Sequence, residues 1–223
     1  MSSILKKQKA RAHAMVRVLK NLYPKVGIAL QYSNNWELLV AVVLSAQTTD
    51  KKVNEVTATL FKKYLKLDDY ARADIRSFTK DIKQIGLYRG KAKNILVSAQ
   101  IIKRQYQGRL PRTMREMMAL PGVGRKSANV ILYKAFGIVE GIAVDTHVRR
   151  FAIRFNLTDS ANPDIIEKDL MQLLPRKEWA GISSRLIEYG RQICPARKHN
   201  CTQHPLTKIF PQAAQRWYSP SKK

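Results

Sequence analysis

Cysteine is scarce in this chain: 223 residues contain two, Cys194 and Cys201. Two cysteines exclude a small scaffold stapled by several disulfides. A single Cys194–Cys201 bridge stays open as an alternative, disfavoured in a reducing cytosol. Long apolar runs are lacking too. The longest, Leu38 to Leu44, is seven residues and far too short to span a membrane. No signal-peptide pattern is present. No alternating apolar and polar stretch of useful length occurs, which excludes a β architecture.

Acidic residues are the third shortage. Asp and Glu number 16 against 41 Lys and Arg, a formal net charge of +25, and residues 1–36 carry no acidic side chain. Such an excess is the electrostatic footprint of a polyanion partner, with affinity that falls steeply as salt rises. Charge alone would also fit RNA or an anionic membrane. A basic N-terminus is the composition of an organelle transit peptide as well. Met15, Val18, Leu19 and Leu22, however, form a helical stripe, so mature structure is favoured there. The expected location is the cytoplasm (the nucleoid, in a bacterium or archaeon), with organelle targeting disfavoured.

What is present is helical periodicity. An apolar share of 45% suits a globular core. Helices are expected over residues 3–23, from Asn34 and Glu37 into Leu38–Leu44, and from an Asp50 cap to about Tyr64. Others are expected near 70–83, 90–106, 113–119, 124–136, 146–155, 163–173, 177–191 and 207–218.

The most informative stretch is Leu120-Pro121-Gly122-Val123-Gly124-Arg125-Lys126-Ser127-Ala128. Thr113 and Glu116 form a capping box before it. Pro121 cannot donate the next backbone bond, and Gly122 and Gly124 accept positive φ. Ala128, Ile131, Leu132 and Ala135 then recur at helical spacing. The pattern predicts helix, hairpin, helix. The free amides of the turn and the second helix's dipole would favour an anion such as a DNA phosphate. By itself, a Pro-Gly turn is as often a plain helix connection.

Lys126 lies in the first turn of that second helix. A solvated lysine is protonated at neutral pH and a poor nucleophile. The dipole, adjacent Arg125 and partial burial would all disfavour a second positive charge, making the neutral amine more accessible for Schiff-base chemistry. Nineteen residues on, Asp145 opens Asp145-Thr146-His147-Val148-Arg149-Arg150 and reads as an N-cap.

Together these segments resemble the endonuclease III family of base-excision repair glycosylases. The resemblance covers roughly residues 10–204. It implies an all-α fold of two helical lobes with a DNA-binding groove between them. Residues 27–139 would form a six-helix lobe carrying the helix-hairpin-helix, and residues 1–26 plus 140–223 the other. It implies a monomer acting on double-stranded DNA with damaged bases or abasic sites. The Lys126 amine would attack C1′ of a flipped nucleotide and expel the base. β-Elimination would follow, with Asp145 stabilising the sugar's positive charge and moving protons. A monovalent cation would sit on the backbone carbonyls of Met118, Leu120 and Val123.

The resemblance also assigns Gln47, in Leu44-Ser45-Ala46-Gln47-Thr48-Thr49-Asp50, as the plug that fills the hole left by the flipped nucleotide. Leu87, in the hairpin-like Ile85-Gly86-Leu87-Tyr88-Arg89-Gly90-Lys91, becomes a wedge on the opposite strand. A capping glutamine and a buried leucine are the plain alternatives. Gly122, Val123, Gly124 and Arg125 would meet phosphate, with His147 and Arg149 as weaker candidates.

The chain departs from the family at its end. The usual spacing C-x6-C-x2-C-x5-C binds a [4Fe–4S] cluster. Here Cys194 and Cys201 keep the first two positions, while His204 and Phe210 occupy the others. Phe cannot ligate, so no cluster is expected. Segment 194–210 is expected to pack instead through Ile193, Leu206, Ile209, Phe210, Trp217 and Tyr218. Zinc on Cys194, His199, Cys201 and His204 is the less favoured reading, because no C-x2-C knuckle exists. Arg197 and Lys198 could touch phosphate or be merely solvated.

The function expected is a bifunctional DNA glycosylase and AP lyase acting on oxidised pyrimidines. The rivals are a monofunctional alkyl- or mismatch-base glycosylase and a non-catalytic helix-hairpin-helix DNA-binding protein. Lys126 argues against the adenine type of monofunctional relative, which lacks the lysine, and the intact Lys126/Asp145 pair argues against a non-catalytic protein.

Overall fold

The structure, a computed structural model, describes residues 3–216. Every regular element among them is helical. The chain divides into two units, one of residues 28–140 and one of residues 1–27 with 141–223.

The unit 28–140 is built on α2 (Asn35–Ser45), whose residues Leu38–Leu44 are buried on every side. A helix apolar all round has to be wrapped, and α3 (Asp50–Lys63), α6 (Tyr88–Gln105) and α8 (Arg125–Phe136) pack against it. Each buried Leu or Val contributes about 1.5–3 kcal/mol. Asn34 caps α2, its side chain accepting from Glu37 N at 3.0 Å. Two short helices, α4 (Leu67–Arg72) and α5 (Ile75–Asp81), pack on α6, and an aromatic cluster of Trp36, Tyr64, Tyr70 and Phe78 joins them to α2 and the end of α3. The helix α7 (Met114–Met118) leads into α8.

The second unit joins α1 (Ser3–Leu22) to α9 (Thr146–Arg154), α10 (Pro163–Leu173) and α11 (Arg176–Gln192). Ala12, Met15, Val16 and Leu19 face its core at helical spacing. Phe151, Phe155 and Tyr189 form the aromatic centre, with Phe151 and Tyr189 edge to face at 5.4 Å. No helix among the described residues is long and apolar enough to cross a membrane.

Several expectations need correction. The buried stripe of α1 is rotated from the expected one: Val18 is partly exposed and Leu22 exposed. Thr49, not Asp50, is the N-cap of α3, its hydroxyl accepting from Lys52 N at 3.3 Å. Asp50 instead places its carboxylate in the first turn, at the positive end of the dipole. The single helix expected near 70–83 is broken at Ala73, because Asp74 leaves the helix to cap α5 and accepts from Ser77 N at 2.9 Å. The helix expected over 207–218 is absent up to residue 216. Turns occupy 202–209, and one 3₁₀ turn, Pro211–Ala214, follows. Trp217 and Tyr218 lie outside the described residues.

Candidate functional site

The hairpin between α7 and α8 is held from behind. Gly122 has φ +81°, and a Cβ there would lie 2.8 Å from Asn94 Nδ2. Only glycine suits both the backbone and that approach. Ser98, one turn further along α6, donates its hydroxyl to Pro121 O at 3.3 Å. Gly124 behaves differently from expectation. Its φ is −84° in extended backbone at the N-cap of α8, so it does not use positive φ. A Cβ at Gly124 would meet nothing within 4 Å. The need for glycine there is therefore not conformational in the protein alone. The Thr113–Glu116 pair also differs from a full capping box. Thr113 Oγ1 accepts from Glu116 N at 3.3 Å and donates to Glu116 Oε2 at 2.7 Å.

Arg125 and Lys126 open α8. The face carrying Ala128, Asn129, Ile131 and Leu132 turns to the core, which puts Lys126 on the outer face. Lys126 is exposed, so the partial burial expected for it is not seen. Helix α8 has no side-chain N-cap, and its first turn holds no acidic residue. Its amino end thus keeps the polarity that attracts an anion.

The Gln47 and Leu87 turns are brought together. Both residues are exposed and left-handed, with φ +53° and +56°. A non-glycine residue in that region costs of order 1 kcal/mol or more and persists only where its surroundings enforce it. Leu87 is 65% exposed, which removes the buried-leucine alternative. Between the two turns, Gly86 N donates to Thr48 Oγ1 at 3.2 Å, and a Cβ at Gly86 would stand 3.1 Å from Gln47 O.

The enforcing residue is Lys91, which sequence reasoning missed. It is only 5% exposed, and its amine donates to Leu44 O at 2.8 Å, to Ala46 O, and to Thr48 Oγ1 at 3.2 Å. Burial lowers its pKa. Nothing marked it among 41 basic residues. The available signal was its register: Lys91, Asn94 and Ser98 share one face of α6, and that face faces both turns and the hairpin.

In the other unit, Asp145 is the N-cap of α9, with Oδ1 accepting from Val148 N at 2.8 Å. It is partly exposed. His147 is partly buried, with Nδ1 3.4 Å from an Arg150 guanidinium nitrogen. Burial pushes its pKa below the usual 6.5, and Arg150 and Arg191 push the same way against Asp145 and Glu188. The neutral ring is therefore the favoured form at pH 7. Arg149 is partly buried on the same turn.

Near the C-terminus, Cys194, His199, Cys201 and His204 converge, with ligand atoms all within 4.8 Å of one another. Both cysteines are free thiols and buried. Arg154, itself buried, donates to Cys194 Sγ at 3.2 Å and to Cys201 Sγ at 3.1 Å. Phe210 has no donor atom. It packs on Phe155 and takes the Arg11 guanidinium 3.7 Å above its ring. Two thiols, two imidazoles and a phenyl ring do not fit a [4Fe–4S] cluster. The expected packing of Ile193, Leu206, Ile209 and Phe210 is present. Arg197 and Lys198 are exposed.

Residues 40–176 match the HhH-GPD superfamily of base excision DNA repair proteins. The chain is 43% identical to the Endonuclease III of Synechocystis over 96% of its own length and 99% of the relative's. A non-covalent Endonuclease III–DNA complex superposes with a TM-score of 0.87 at 39% identity, covering 93% of this chain and 97% of that one. A trapped Endonuclease III–DNA covalent intermediate superposes with a TM-score of 0.85 at 40% identity, with the same coverage.

Proposed function

This chain belongs to the endonuclease III family of the HhH-GPD superfamily, and on that footing we propose that it is a bifunctional DNA glycosylase and AP lyase of base excision repair. Its substrate is double-stranded DNA bearing oxidised pyrimidines or abasic sites. The observation that carries this reading is the placement of Lys126. A primary amine stands exposed in the first turn of a helix with no acidic cap, directly after the hairpin. The likeness to a relative trapped covalently on DNA supports it.

The proposed chemistry runs in two stages. The Lys126 Nζ lone pair attacks C1′, the C1′–N bond breaks, and the base leaves with its electrons and gains a proton. Ring opening gives an imine between Nζ and C1′, whose electron demand acidifies the 2′ proton. Loss of that proton forms the 2′–3′ double bond and expels the 3′ phosphate. The Asp145 carboxylate stabilises the developing sugar cation and carries protons. One Asp145 oxygen stays on the Val148 amide, and the second is left for this work.

Gln47 fills the space of the extruded nucleotide and Leu87 parts the opposite strand. Their enforced left-handed turns support these roles, since a wedge that relaxed on contact would lose its reach. Gly122, Val123, Gly124 and Arg125 contact phosphate, with Arg149 and the neutral His147 as secondary contacts. The carbonyls of Met118, Leu120 and Val123 hold a monovalent cation; Leu120 O already accepts from Val123 N at 3.1 Å and keeps a second lone pair. The protein carries no [4Fe–4S] cluster.

The test is borohydride trapping of the protein on duplexes bearing an abasic site or thymine glycol. A covalent adduct is expected with the native chain and none with Lys126→Ala. Equal adduct from Lys126→Ala would overturn the assignment of the nucleophile.

A further inference from the structure

We propose that Cys194, His199, Cys201 and His204 form a mononuclear zinc site that clasps the C-terminal segment, in the place where relatives of this family hold an iron–sulfur cluster. The inference does not depend on the enzymatic reading.

Four observations carry it. First, the spacing Cys194-x4-His199-x1-Cys201-x2-His204 compresses four soft and borderline donors into eleven residues. The fold then gathers their ligand atoms to within 4.8 Å of one another. A zinc tetrahedron with Zn–S of about 2.3 Å and Zn–N of about 2.0 Å needs ligand atoms about 3.3–3.8 Å apart. Binding would draw the most separated ligand atoms about 1 Å closer together. Two thiolates and two imidazoles in one tetrahedron select zinc over the hard cations.

Second, the histidine tautomers are poised for it. His199 Nδ1 lies 2.7 Å from Arg197 O. A carbonyl can only accept, so Nδ1 carries the proton and the buried Nε2 presents a lone pair. This is the outer-shell bond that orients metal-binding imidazoles elsewhere. His204 Nδ1 is buried and has no hydrogen-bond partner, a cost that a metal bond removes. The two rings stack with centroids 5.1 Å apart.

Third, a buried cation already faces both sulfurs. Both accept from the Arg154 guanidinium, at 3.2 Å and 3.1 Å, which holds the two sulfurs on one side chain. With zinc bound, two thiolates cancel the ion's charge and turn these contacts into charge-assisted bonds.

Fourth, the loop backbone is already organised. Cys194 O accepts from Arg150 Nη1 at 2.8 Å and Cys194 N donates to Tyr189 O at 2.9 Å. Cys201 O accepts from the Thr207 hydroxyl and from His204 N at 3.1 Å. A metal here would join the end of α11 to the turn before the 3₁₀ helix.

The experiment uses the full chain, purified without chelator. Elemental analysis should find close to one zinc per chain with negligible iron and sulfide. X-ray absorption at the zinc edge should show two sulfur and two nitrogen neighbours. Chelation should lower the melting midpoint by more than about 5 °C, with recovery on adding zinc. His199→Ala and His204→Ala should each weaken zinc retention more than the roughly tenfold typical of outer-shell changes. These two variants keep both buried cysteines, and a far-ultraviolet circular dichroism spectrum checks that each is folded before its zinc is counted. Iron with inorganic sulfide, a Cys194–Cys201 disulfide in non-reducing mass spectrometry, or no zinc after incubation with excess metal would each overturn the proposal. Unchanged zinc retention in both histidine variants would do so too.

Discussion

The buried Lys91 amine donates to the Thr48 hydroxyl at 3.2 Å, and the same hydroxyl accepts from Gly86 N. One side chain therefore fixes the turn that presents Gln47 and, through Gly86, the turn that presents Leu87. Lys91→Met keeps the stem and removes the donor. Leu44 O and Ala46 O lose a charge-assisted partner in a buried setting. The expected loss of stability is about 2–4 kcal/mol, read as a lower urea midpoint with an unchanged slope. Binding to a duplex with an abasic site should weaken more than borohydride trapping at saturating DNA. Native stability in this variant would show that Lys91 does not set the turns.

The two hairpin glycines should separate by cause. Gly122→Ala meets both a positive φ and Asn94 Nδ2 at 2.8 Å, so it should cost about 1–3 kcal/mol in unfolding experiments. Gly124→Ala meets neither obstacle, so stability should hold within about 0.5 kcal/mol. Its methyl would stand at the proposed phosphate contact, and duplex affinity measured by anisotropy should drop severalfold. Full affinity in Gly124→Ala would remove the hairpin from the DNA contacts.

Asp145 has a capping duty and a proposed chemical one, and substitution can split them. Asparagine caps as well as aspartate, so Asp145→Asn should melt near the native temperature yet cut DNA slowly. Asp145→Ala should lose both, at about 1 kcal/mol for the cap. A native cutting rate in Asp145→Asn would leave Asp145 as a cap only.

His147 gives a pH dependence of known sign. Its folded pKa is lowered below 6.5 by burial first, then by Arg150 and Arg191. Below pH 6.5 the unfolded chain therefore binds the proton more readily than the folded one. The stability linked to this ring is fully present above that pH and is lost as pH falls through it. Between about pH 7.5 and about pH 5, the native melting midpoint should fall more steeply than that of His147→Asn. Parallel curves would show that the ring's burial has no energetic consequence.

The sequence by itself determined the helices, their approximate ends and the family. Helical spacing and caps such as Asn34, Thr113 and Asp145 act over one or two turns, and a single chain records them in full. The glycine hairpin, Lys126 and Asp145 were legible for the same reason, because their meaning lies in adjacent residues. Local signals failed where two local choices competed: Thr49 against Asp50 at one cap, and Asp74 ending one helix to begin another.

Only the tertiary structure decided what lies behind those motifs. Lys91 became a brace because its amine is removed from water beside three oxygens that residues 44–48 bring to it. Arg154 became the partner of two sulfurs 40 and 47 residues away. Such contacts are set by desolvation and packing among segments far apart in the chain, and a side chain's burial is not written in its own neighbourhood. The convergence of two histidines on two cysteines is of the same kind: the four residue types stand in the sequence, but their meeting at one point depends on the turns that fold around Thr207 and Arg150.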